Sequence, residues 1–548
     1  MSQEQGQHVN SVYRVFADTA ARAGDHPFLH IPLQASRGYA NGPVDLSYGE
    51  ALKQIEQLAV HYRNAGYGYP LRVALMLDNR AEFFLHWLAL NSLGCSVIPV
   101  SRDMQDDEIG YFLSHGEACL LVALRDLLPR LEKLCARLET PLPVVDCSRP
   151  DTLTAVSGAA EGAPPGDLEC ALLYTSGSTG KPKACILNNS YFLYAGEWYN
   201  NLEGLASLRY GQERLLTPLP LTHMNAMAVS SMAMIMSAGC IVQLDRFHPR
   251  EWWQTVRDSR ATALHYLGVL PAILLEMPPA AEDDCGNQIR FGFGAGVNPR
   301  HHAVFEDRFG FPLLEAWAMT ESGVGGSIIA NREPRHVGSC CFGRAPADLE
   351  YQLVDEHMQP VATGEPGELR VRAAGPDPRR GFFSGYLKNP EATAEIWQDG
   401  WLNTGDVARE GPDGSLHFVD RRKNVIRRSG ENISALEVEA ALLSHPAIHQ
   451  VIVTAVPDKL RGDEVAAAVV VATAHAEDSE ELAADIVRHC LQQLAYYKAP
   501  GYVLFCDDLP VTASNKPRRG DIKTLVRERV AAGDGVDTRS LKKRREVV

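Results

Sequence analysis

The sequence predicts an α/β protein, with a large N-terminal domain of β-sheets flanked by helices and a small C-terminal α/β domain. Strand-like and helix-like segments alternate, as in a strand over Arg72–Leu77, a helix over Ala81–Leu93 and a strand over Cys95–Val100, and this rhythm is typical of α/β layers. The composition is ordinary for a globular chain, with 45% hydrophobic and 22% charged residues. A second, shorter series of strands and helices begins after a charged segment at Asp420. These three observations define the predicted fold class.

Length and charge limit the number of domains and the kind of partner. The chain has 548 residues, and at roughly 150 residues per unit this length predicts three or four units, so the N-terminal domain is expected to contain several subdomains. The net charge of −15 gives no overall attraction for nucleic acid or an anionic membrane. We therefore expect a small-molecule partner. The sequence leaves the oligomeric state open, a homodimer included.

The sequence carries no sign of export or of membrane insertion. The polar start MSQEQGQHVNSVYRVF lacks the apolar region of a secretory signal. The most apolar stretch, Ala226–Val242, contains three serines and is predicted as a core helix rather than a membrane span. The twelve cysteines show no C-x-x-C spacing. Reduced thiols and a cytoplasmic location are the expectation.

The domain boundary is predicted at the charged segment Asp420–Arg428, which follows strand-like Leu416–Val419 and precedes a helix that begins near Ser434. The N-terminal domain is thus expected over 1–420 and the C-terminal domain over 425–530, a length sufficient for an independent fold. The segment 531–548 has little apolar content and is predicted to be a flexible tail. The elements predicted for the C-terminal domain are a helix over Ala435–Ser444, strands over Ile448–Val456 and Glu464–Val471, a helix over Ser479–Leu494 and a strand over Tyr502–Phe505.

The run YTSGSTGKPK, Tyr174–Lys183, is predicted to be a polyphosphate-binding loop. Its glycines permit positive φ angles and close backbone approach, so successive N–H groups can face an anion, while its hydroxyls add donors. The apolar segment Cys170–Tyr174 before it is predicted to be a buried strand. The spacing is not that of G-x-x-x-x-G-K-[ST], because position 175 is threonine and Lys181 is followed by proline. This argues against kinase and GTPase functions.

Five further motifs follow in order: EAWAMTES from Glu315, GELRVR from Gly367, WLNTGD from Trp401, DRRKNVIRRSGENIS from Asp420 and LPVTASNK from Leu509. Together with the loop, their identity and order resemble the adenylate-forming superfamily of acyl-CoA synthetases, adenylation domains and luciferases. The resemblance spans nearly the whole chain. Its phrases are most similar to those of bacterial acyl-CoA ligases of the crotonobetaine/carnitine type.

The resemblance implies a mobile C-terminal domain and an acid–thiol ligase reaction in two steps. A carboxylate attacks the α-phosphorus of ATP and gives acyl-adenylate and pyrophosphate, and the thiol of coenzyme A then displaces AMP. The first step supplies a good leaving group to a carboxylate that is otherwise a poor acyl donor. ATP, Mg²⁺ and coenzyme A are the implied cofactors and co-substrates, and a carboxylic acid is the implied substrate.

The resemblance also assigns residue roles. Lys516, Glu321, Thr175 and His223 are the candidate catalytic residues, and Glu321 is also the candidate Mg²⁺ ligand, since hard cations prefer oxygen. Trp317 and Ala318 depart from the tyrosine and glycine that are common at these positions. The nucleotide and coenzyme A are expected to contact a larger set: Thr175, Ser176, Gly177, Ser178, Thr179, Gly180, Lys181, Ala295, Gly296, Glu315, Ala316, Trp317, Thr320, Asp406, Arg421, Gly430, Glu431 and Asn432.

The two half-reactions are assigned to different surfaces of the C-terminal domain. Lys516 matches the lysine used in adenylation, and Gly430-Glu431-Asn432 matches the segment that lines the pantetheine tunnel after domain rotation. Lys423 falls at the hinge, predicted over 421–424, where Asn424 replaces the usual aspartate. Asn515 likewise replaces a common glycine.

The acyl pocket is expected, by family position, to use residues from several elements: Trp198, His223, Met224, Asn225, Met227, Gly268, Val269, Gly294, Ala295, Trp317 and Gly323. Trp198, Tyr199 and Trp317 could surround a quaternary ammonium through cation–π attraction or could be core residues. His223 could equally be a core histidine. A small to medium acid, betaine-like or not, is therefore the predicted substrate class.

Three alternatives stay open at this point. A free-standing adenylation enzyme could load a carrier protein, although the ligase-like phrase LAYYKAP at Leu494–Pro500 favours coenzyme A. A non-catalytic nucleotide-binding relative is disfavoured because Glu321, Asp406, Arg421 and Lys516 are all present. An ATP-dependent luciferase would need a luciferin and oxygen chemistry that nothing in the sequence specifies.

Overall fold

The structure of the protein is a computed structural model. The described ranges are 10–160, 166–175, 182–280, 283, 288–421, 424–428, 431–458, 462–471, 479–494, 496–511 and 517–542; at 427, 431, 432 and 462 only the backbone is described. The described part of the chain divides into two compact units. The first contains Met1–Tyr351, Arg370–Thr404 and Gly414–Leu416, and the second contains Gln352–Leu369, Gly405–Asp413 and His417–Val548. The predicted fold class, a large α/β domain with a smaller one after it, is confirmed. The predicted boundary at residue 420 stays a prediction.

The first part of the first unit builds one sheet around the predicted phosphate loop and begins a second. Its elements are α1 (Val12–Ala23), β1 (Pro27–Ile31), α2 (Leu33–Ser36), β2 (Val44–Ser47), α3 (Tyr48–Asn64), β3 (Arg72–Met76), α4 (Ala81–Ser92), β4 (Ser96–Pro99), α5 (Asp106–His115), β5 (Ala118–Ala123), α6 (Leu128–Cys135), β6 (Val144–Asp146), β7 (Glu169–Thr175) and β8 (Lys183–Asn188). Strands β7, β4, β3, β5 and β6 are parallel neighbours, and β8 returns antiparallel to β7. The predicted loop therefore connects β7 to β8.

The second sheet is mostly parallel as well. The elements that follow are α7 (Asn189–Asn200), β9 (Arg214–Thr217), α8 (Ser231–Ser237), β10 (Cys240–Gln243), α9 (Trp252–Asp258), β11 (Ala263–Leu267), α10 (Val269–Glu276), β12 (Phe291–Ala295), α11 (Pro299–Phe309), β13 (Leu313–Trp317), β14 (Ile328–Ile329) and β15 (Cys341–Gly343). The order of this sheet is β14-β13-β12-β11-β9-β10-β1-β2, and only the two edge strands β14 and β2 run antiparallel to their neighbours. Parallel strands of this kind are buried on both faces.

The chain then passes between the two units through several strands. They are β16 (Leu349–Val354), β17 (Pro366–Ala373), β18 (Gly385–Tyr386), β19 (Trp397–Gln398), β20 (Trp401–Glu410) and β21 (Leu416–Arg421), with α12 (Pro390–Ile396) between β18 and β19. Strand β18 belongs to the first sheet, because Tyr386 pairs with Cys185 of β8.

The second unit contains its own sheet. Its elements are β22 (Ile426–Arg428), β23 (Glu431–Ile433), α13 (Ala435–Leu442), β24 (Ile448–Asp458), β25 (Gly462–Val471), α14 (Ser479–Gln493), β26 (Tyr502–Phe505), α15 (Arg519–Ala531) and β27 (Val536–Asp537). The order is β23-β22-β25-β26-β27, and β24 also pairs with β25. The apolar side chains of β24 and β25 lie in two clusters, one packed with α13 and α14 and the other with α15. The compact βα pattern predicted from the sequence is therefore present.

Two local predictions differ from the structure. The apolar stretch Ala226–Val242 is not one helix. It begins in a π-helical turn over Asn225–Ser230, continues into α8, which ends before Ala238, and then enters strand β10. The segment predicted as a flexible tail contains β27, which pairs with β26, and Lys542, whose side chain is buried. Among the described residues, no helix is both long and apolar enough to cross a bilayer, and no described cysteine forms a disulfide.

Candidate functional site

The carboxyl ends of β11, β12 and β13 gather many of the predicted site residues. These strands are parallel neighbours, with Leu267 opposite Ala295 and Gly294 opposite Glu315. Gly268 follows β11 directly. Because ligands of open α/β sheets bind outside the carboxyl ends of the strands, this edge is the expected place for a nucleotide or an acyl group.

Glu315 fixes the turn that follows β12. Its carboxylate accepts hydrogen bonds from the backbone N–H groups of Gly296 (2.9 Å) and Val297 (3.1 Å) and from the hydroxyl of Tyr266 (3.0 Å). Burial raises the pKa of Glu315, and these three donors partly offset that effect. Predicted nucleotide-contacting residues at the ends of β12 and β13 are thus held together by one buried side chain.

Gly268 allows the close approach of two of these turns. A Cβ atom at this position would lie 1.7 Å from the carbonyl oxygen of Gly296, far inside any contact that a side chain can make. The Gly268 N–H donates to the carbonyl oxygen of Ala295 at 2.9 Å. The turns after β11 and β12 therefore require glycine at 268.

Glu321 is joined to the start of the phosphate loop. Its Oε1 accepts a hydrogen bond from Oγ1 of Thr175 at 3.1 Å and another from the hydroxyl of Tyr386 at 2.8 Å. The residue is 6% exposed. Both of these donors use the same oxygen, Oε1. Two predicted catalytic residues, Thr175 and Glu321, are therefore in direct contact.

The surroundings keep Tyr386 a hydrogen-bond donor. Burial and the nearby charge of Glu321 raise the pKa of Tyr386 well above its usual range, so the phenol retains its proton. The ammonium of Lys183 lies 5.0 Å from the centre of its ring. Burial, and then the Glu321 charge, likewise raise the pKa of the Cys185 thiol on β8. Sequence analysis missed Tyr386 and Cys185, whereas Lys183 is the last residue of the predicted phosphate-binding run.

The segment around Glu321 is held from α7. The hydroxyl of Tyr191 donates to the backbone carbonyl of Thr320 at 3.0 Å. Gly323 has a φ of +51°, and a Cβ atom there would lie 2.3 Å from the carbonyl oxygen of Gly381. Thr320, Glu321 and Gly323, all predicted site residues, therefore form one tightly packed turn.

Asn225 of the predicted acyl pocket is bound to a histidine that sequence analysis missed. Nδ1 of His265 lies 2.8 Å from Oδ1 of Asn225 and 2.8 Å from Oγ of Ser230, while Nε2 lies 3.0 Å from the hydroxyl of Tyr199. His265 is fully buried, and burial lowers its pKa to about 3. The ring is therefore neutral, with Nδ1–H donating to Asn225 and Nε2 accepting from Tyr199.

This arrangement fixes the orientation of the Asn225 amide. Its oxygen is used by His265, so its NH₂ group is the part that can donate to a ligand. Met227, two residues later, is fully buried. His223, by contrast, is exposed, so it is not the core histidine that the sequence allowed as an alternative.

The aromatic residues of the predicted pocket lie in two places. The ring of Trp198 is 6.3 Å from Phe293 and 5.9 Å from Tyr199, in edge-to-face contacts. Trp317 is 5% exposed and its ring lies 6.3 Å from Phe342 on β15. Of the other predicted pocket residues, Val269 is 59% exposed, on the first turn of α10.

The second unit brings together two residues predicted to contact the nucleotide, Asp406 and Arg421. Nε of Arg421 lies 3.1 Å from Oδ1 of Asp406, and the side chain of Asp406 is 7% exposed while that of Arg421 is 54% exposed. The guanidinium is thus exposed to solvent, whereas the carboxylate is almost fully buried. Because a carboxylate has several acceptor positions, Asp406 can accept hydroxyl groups from a ligand beside Arg421.

Asp420 organises the predicted hinge segment. It is fully buried, and its Oδ1 accepts from Nδ2 of Asn424 at 3.3 Å, while its Oδ2 accepts from Oγ of Ser434 at 3.2 Å and from the backbone N–H of Leu436 at 3.1 Å. Asn424 thus supplies an amide donor to a buried carboxylate. An aspartate at 424 would place a second negative charge there.

Several predicted residues lie outside the described part of the chain. They are Ser176, Gly177, Ser178, Thr179, Gly180, Lys181, Lys423, Gly430 and Lys516, and for Glu431 and Asn432 only the backbone is described, in β23. We call residues 512–516, which include Lys516, the lysine loop.

The residues on either side of the lysine loop are fixed. Val511 and Pro517 form an antiparallel bridge, and the N–H of Arg518 donates to the carbonyl oxygen of Pro510 at 2.8 Å. The guanidinium of Arg519 makes a bidentate ion pair with the carboxylate of Glu439 on α13, with N–O distances of 2.8 and 2.5 Å. Glu439 is 6% exposed. The start of α15, which follows the predicted catalytic lysine in the sequence, is therefore tied to α13.

Two comparisons with solved and curated proteins agree with this geometry. The chain is 29% identical over 534 residues to the crotonobetaine/carnitine–CoA ligases of Escherichia coli O8 (strain IAI1) and Shigella sonnei (strain Ss046), covering 94% of this chain and 99% of each relative. Its fold is similar to that of o-succinylbenzoate CoA synthetase from Bacillus subtilis, solved with its acyl-adenylate intermediate, at 22% identity and a TM-score of 0.78, covering 94% of this chain and 98% of that one.

Two other solved structures share the fold. ATP-bound MatB from Rhodopseudomonas palustris matches at 21% identity with a TM-score of 0.78, and the amide bond synthetase McbA from Marinactinospora thermotolerans matches at 23% with a TM-score of 0.76; each match covers 94% of this chain and 99% of the other. Residues 16–387 match the AMP-binding enzyme family, and residues 437–516 match the AMP-binding enzyme C-terminal domain. The chain therefore belongs to the AMP-binding enzyme family, as its motifs predicted.

Proposed function

We propose that this enzyme is an ATP-dependent acyl-CoA ligase that activates a small to medium carboxylic acid. The observation that carries the proposal is the contact between Thr175, at the start of the phosphate loop, and the buried carboxylate of Glu321. This contact joins a loop rich in donors to a carboxylate that can approach a cation. Such a pairing suits a leaving polyphosphate. The 29% identity to crotonobetaine/carnitine–CoA ligases supports the thiol acceptor.

The reaction then has two displacements. In the first, a carboxylate oxygen of the acid bonds to the α-phosphorus of ATP, the bond to the β-phosphate oxygen breaks, and pyrophosphate leaves with the electron pair. In the second, the thiolate of coenzyme A attacks the acyl carbon, the bond to the adenylate oxygen breaks, and AMP leaves. The protein's contribution is chiefly to position the groups and to neutralise the developing charge.

The proposal assigns Mg²⁺ to Glu321. The described residues contain no cluster of three or more His, Cys, Asp or Glu side chains that could hold a metal ion by themselves. A single carboxylate fits Mg²⁺, which usually takes one or two protein carboxylates together with substrate phosphates. Bound there, the ion would neutralise charge on the departing pyrophosphate. Thr175 and Tyr386 hold the carboxylate in place for this role.

The remaining roles follow the predicted assignments. Asp406 and Arg421 contact the ribose, with the carboxylate accepting the hydroxyls. Lys516 offsets negative charge during adenylation. Gly430-Glu431-Asn432 lines the path of the pantetheine arm in the second step.

The acid is proposed to carry a hydrogen-bond acceptor. The amide oxygen of Asn225 accepts a hydrogen bond from His265, so the NH₂ group of Asn225 is the part of the amide that can donate to the acid. A hydroxyl or carbonyl oxygen on the acid is the partner such a donor recognises. A hydroxylated betaine meets this requirement, and so do uncharged hydroxy acids.

The test is release of pyrophosphate and AMP from ATP across a panel of acids, with and without coenzyme A. The panel contains pairs matched for the hydroxyl group and for the quaternary ammonium. Acid-dependent pyrophosphate with repeated AMP release only in the presence of coenzyme A supports the ligase. Pyrophosphate without stimulation by coenzyme A would favour a carrier-loading enzyme. No turnover across the panel would favour a non-catalytic nucleotide-binding protein. Turnover that ignores the hydroxyl group would contradict the role given to Asn225.

A further inference from the structure

The second unit contains a buried ion cluster that lies beside the proposed pantetheine segment. Glu464, near the start of β25, has a fully buried side chain. Its Oε1 accepts from Nε of Arg428 at 2.8 Å and from the ammonium of Lys542. The side chains of Arg428 and Lys542 are 6% and 1% exposed. One anion thus holds two cations that are far apart in sequence.

The two cations of this cluster keep the single carboxylate charged. Burial alone would raise the pKa of Glu464, but Arg428 and Lys542 more than offset it, so the pKa of Glu464 lies below its usual range and the side chain stays ionised. Removing Glu464 would leave two cations buried together. Removing either cation leaves one balanced pair, and this makes the two cations a matched set for mutation.

Arg428 is the member of the cluster that bears on catalysis. It is the last residue of β22, and it lies opposite Glu431, the first residue of β23. Among the described residues, β22 pairs with β25 at Arg428 and Gly462. At the other end of the hairpin, Ile426 of β22 and Ile433 of β23 pair with each other and pack in the same apolar cluster as Val465 of β25. The contact between Arg428 and Glu464 is therefore a polar attachment at the end of the hairpin where β22 leads into β23.

Lys542 reaches the same anion from the end of the described chain. Asp537 of β27 pairs with Tyr502, and the hydroxyl of Thr538 donates to the carbonyl oxygen of Pro500 at 2.9 Å. Lys542 therefore ties this last segment to β25. Its link to the hairpin runs through the shared Glu464.

We propose that Arg428 is a positioning residue for thioester formation: by binding Glu464 it holds this end of the β22–β23 hairpin so that the backbone of Glu431 and Asn432 is correctly placed for the pantetheine arm. The inference rests on the proposed function, because that function gives the segment its role. Adenylation uses the lysine loop instead, so it does not depend on this contact.

The test measures the two half-reactions separately in Arg428→Met, Lys542→Met and Arg428→Lys. The acid is the one that the wild-type enzyme turns over best in the panel, and its synthetic adenylate with coenzyme A is the probe for the second step. In Arg428→Met, we expect thioester formation to fall about tenfold or more, with a raised KM for coenzyme A, while pyrophosphate release stays within about twofold of wild type.

The other two variants are the controls. Lys542→Met removes one cation from the same anion but leaves the hairpin attached, so the ratio of the two half-reaction rates should match wild type. Arg428→Lys keeps a cation for Glu464 and should restore most of the thioester rate. Thermal midpoints of all variants show whether the two methionine variants perturb folding equally.

Three results would overturn the inference. The first is that Arg428→Met has the same ratio of thioester formation to pyrophosphate release as wild type. The second is that this ratio falls equally in Lys542→Met. The third is that a folded Arg428→Met protein loses both half-reactions in parallel. If Arg428→Met does not fold, the same two half-reaction rates are measured in Arg428→Gln, which keeps a neutral hydrogen-bond donor, and their ratio is compared with wild type. A wild-type enzyme that makes adenylate but no thioester with coenzyme A would instead overturn the proposed function itself.

Discussion

Replacement of Tyr386 by phenylalanine removes one hydroxyl from the proposed Mg²⁺ site and little else. The hydroxyl donates to Oε1 of Glu321 at 2.8 Å, and the phenylalanine ring still offers its face to Lys183. A hydrogen bond to a charged group contributes about 1.5–3 kcal/mol, and about 1.4 kcal/mol corresponds to a tenfold change in rate. Because Thr175 continues to donate to the same oxygen, we expect the lower part of this range, roughly a tenfold fall in kcat/KM for adenylation.

The assay is pyrophosphate release at varied ATP and Mg²⁺, with the best acid of the panel. If Tyr386 orients the carboxylate, the Mg²⁺ concentration for half-maximal rate should rise in Tyr386→Phe. The matched control is Tyr194→Phe. Its hydroxyl also donates to a carboxylate at 2.8 Å, that of Asp348, but this carboxylate is 49% exposed. Water replaces such a donor readily, so the control should stay near wild type.

Two results would refute this reasoning. If Tyr386→Phe adenylates at the wild-type rate with unchanged Mg²⁺ dependence, the hydrogen bond does not orient a functional carboxylate. If it loses thioester formation from supplied adenylate as much as adenylation, the effect is a general loss of structure. A similar fall in Tyr194→Phe would point to the same conclusion.

Three further predictions concern other parts of the chain. Arg519→Met removes the ion-pair partner of the buried Glu439. Because the start of α15 beside the lysine loop is then no longer attached to α13, pyrophosphate release should fall about tenfold or more, whereas thioester formation from supplied adenylate should be retained. His265 has a pKa of about 3 in the folded protein and about 6.5 in the unfolded chain. Between these pH values only the unfolded state binds the extra proton, so the folded protein loses stability as the pH falls below about 6.5, by about 2 kcal/mol at pH 5. The drop in thermal midpoint between pH 7.5 and pH 5 should therefore be smaller in His265→Gln than in wild type, and an equal drop would contradict this. Asn424→Asp places a second carboxylate beside Asp420, where the amide now lies at 3.3 Å; its thermal midpoint should fall at pH 8 and recover partly at pH 5, and a midpoint independent of pH would argue against like-charge repulsion.

Secondary structure was predictable where apolar runs were long and bounded by polar turns. The strand predicted over Tyr502–Phe505 is observed with the same bounds, and the helix predicted over Ser479–Leu494 ends one residue earlier, at Gln493. The error over Ala226–Val242 has a physical cause, because a buried helix and a buried strand both consist of apolar residues. The change comes at Ala238, which has a left-handed φ of 52°.

The candidate site was predictable only where its residues lie in motifs. Thr175 and Glu321 were both chosen from motifs, and the structure brings them into contact across 146 positions of sequence. Tyr386 and His265 belong to none of the motifs, and no local pattern distinguishes them from core aromatic residues. Their roles arise from tertiary contacts to Glu321 and Asn225. Partners of this kind become visible only when distant strands are placed side by side.

The carboxylates of the two units differ in how they are held, and this difference suits their proposed roles. Glu321 is held by the hydroxyls of Thr175 and Tyr386, the first contact partly buried and the second buried, and these two donors orient the carboxylate before any ligand binds. Asp406 lies beside Arg421, whose side chain is 54% exposed to solvent. A carboxylate that must meet a metal and phosphates in one geometry benefits from permanent partners, since reorganisation during the reaction would raise the barrier. A carboxylate that accepts ribose hydroxyls can do so beside a solvent-exposed arginine such as Arg421, because it has several acceptor positions.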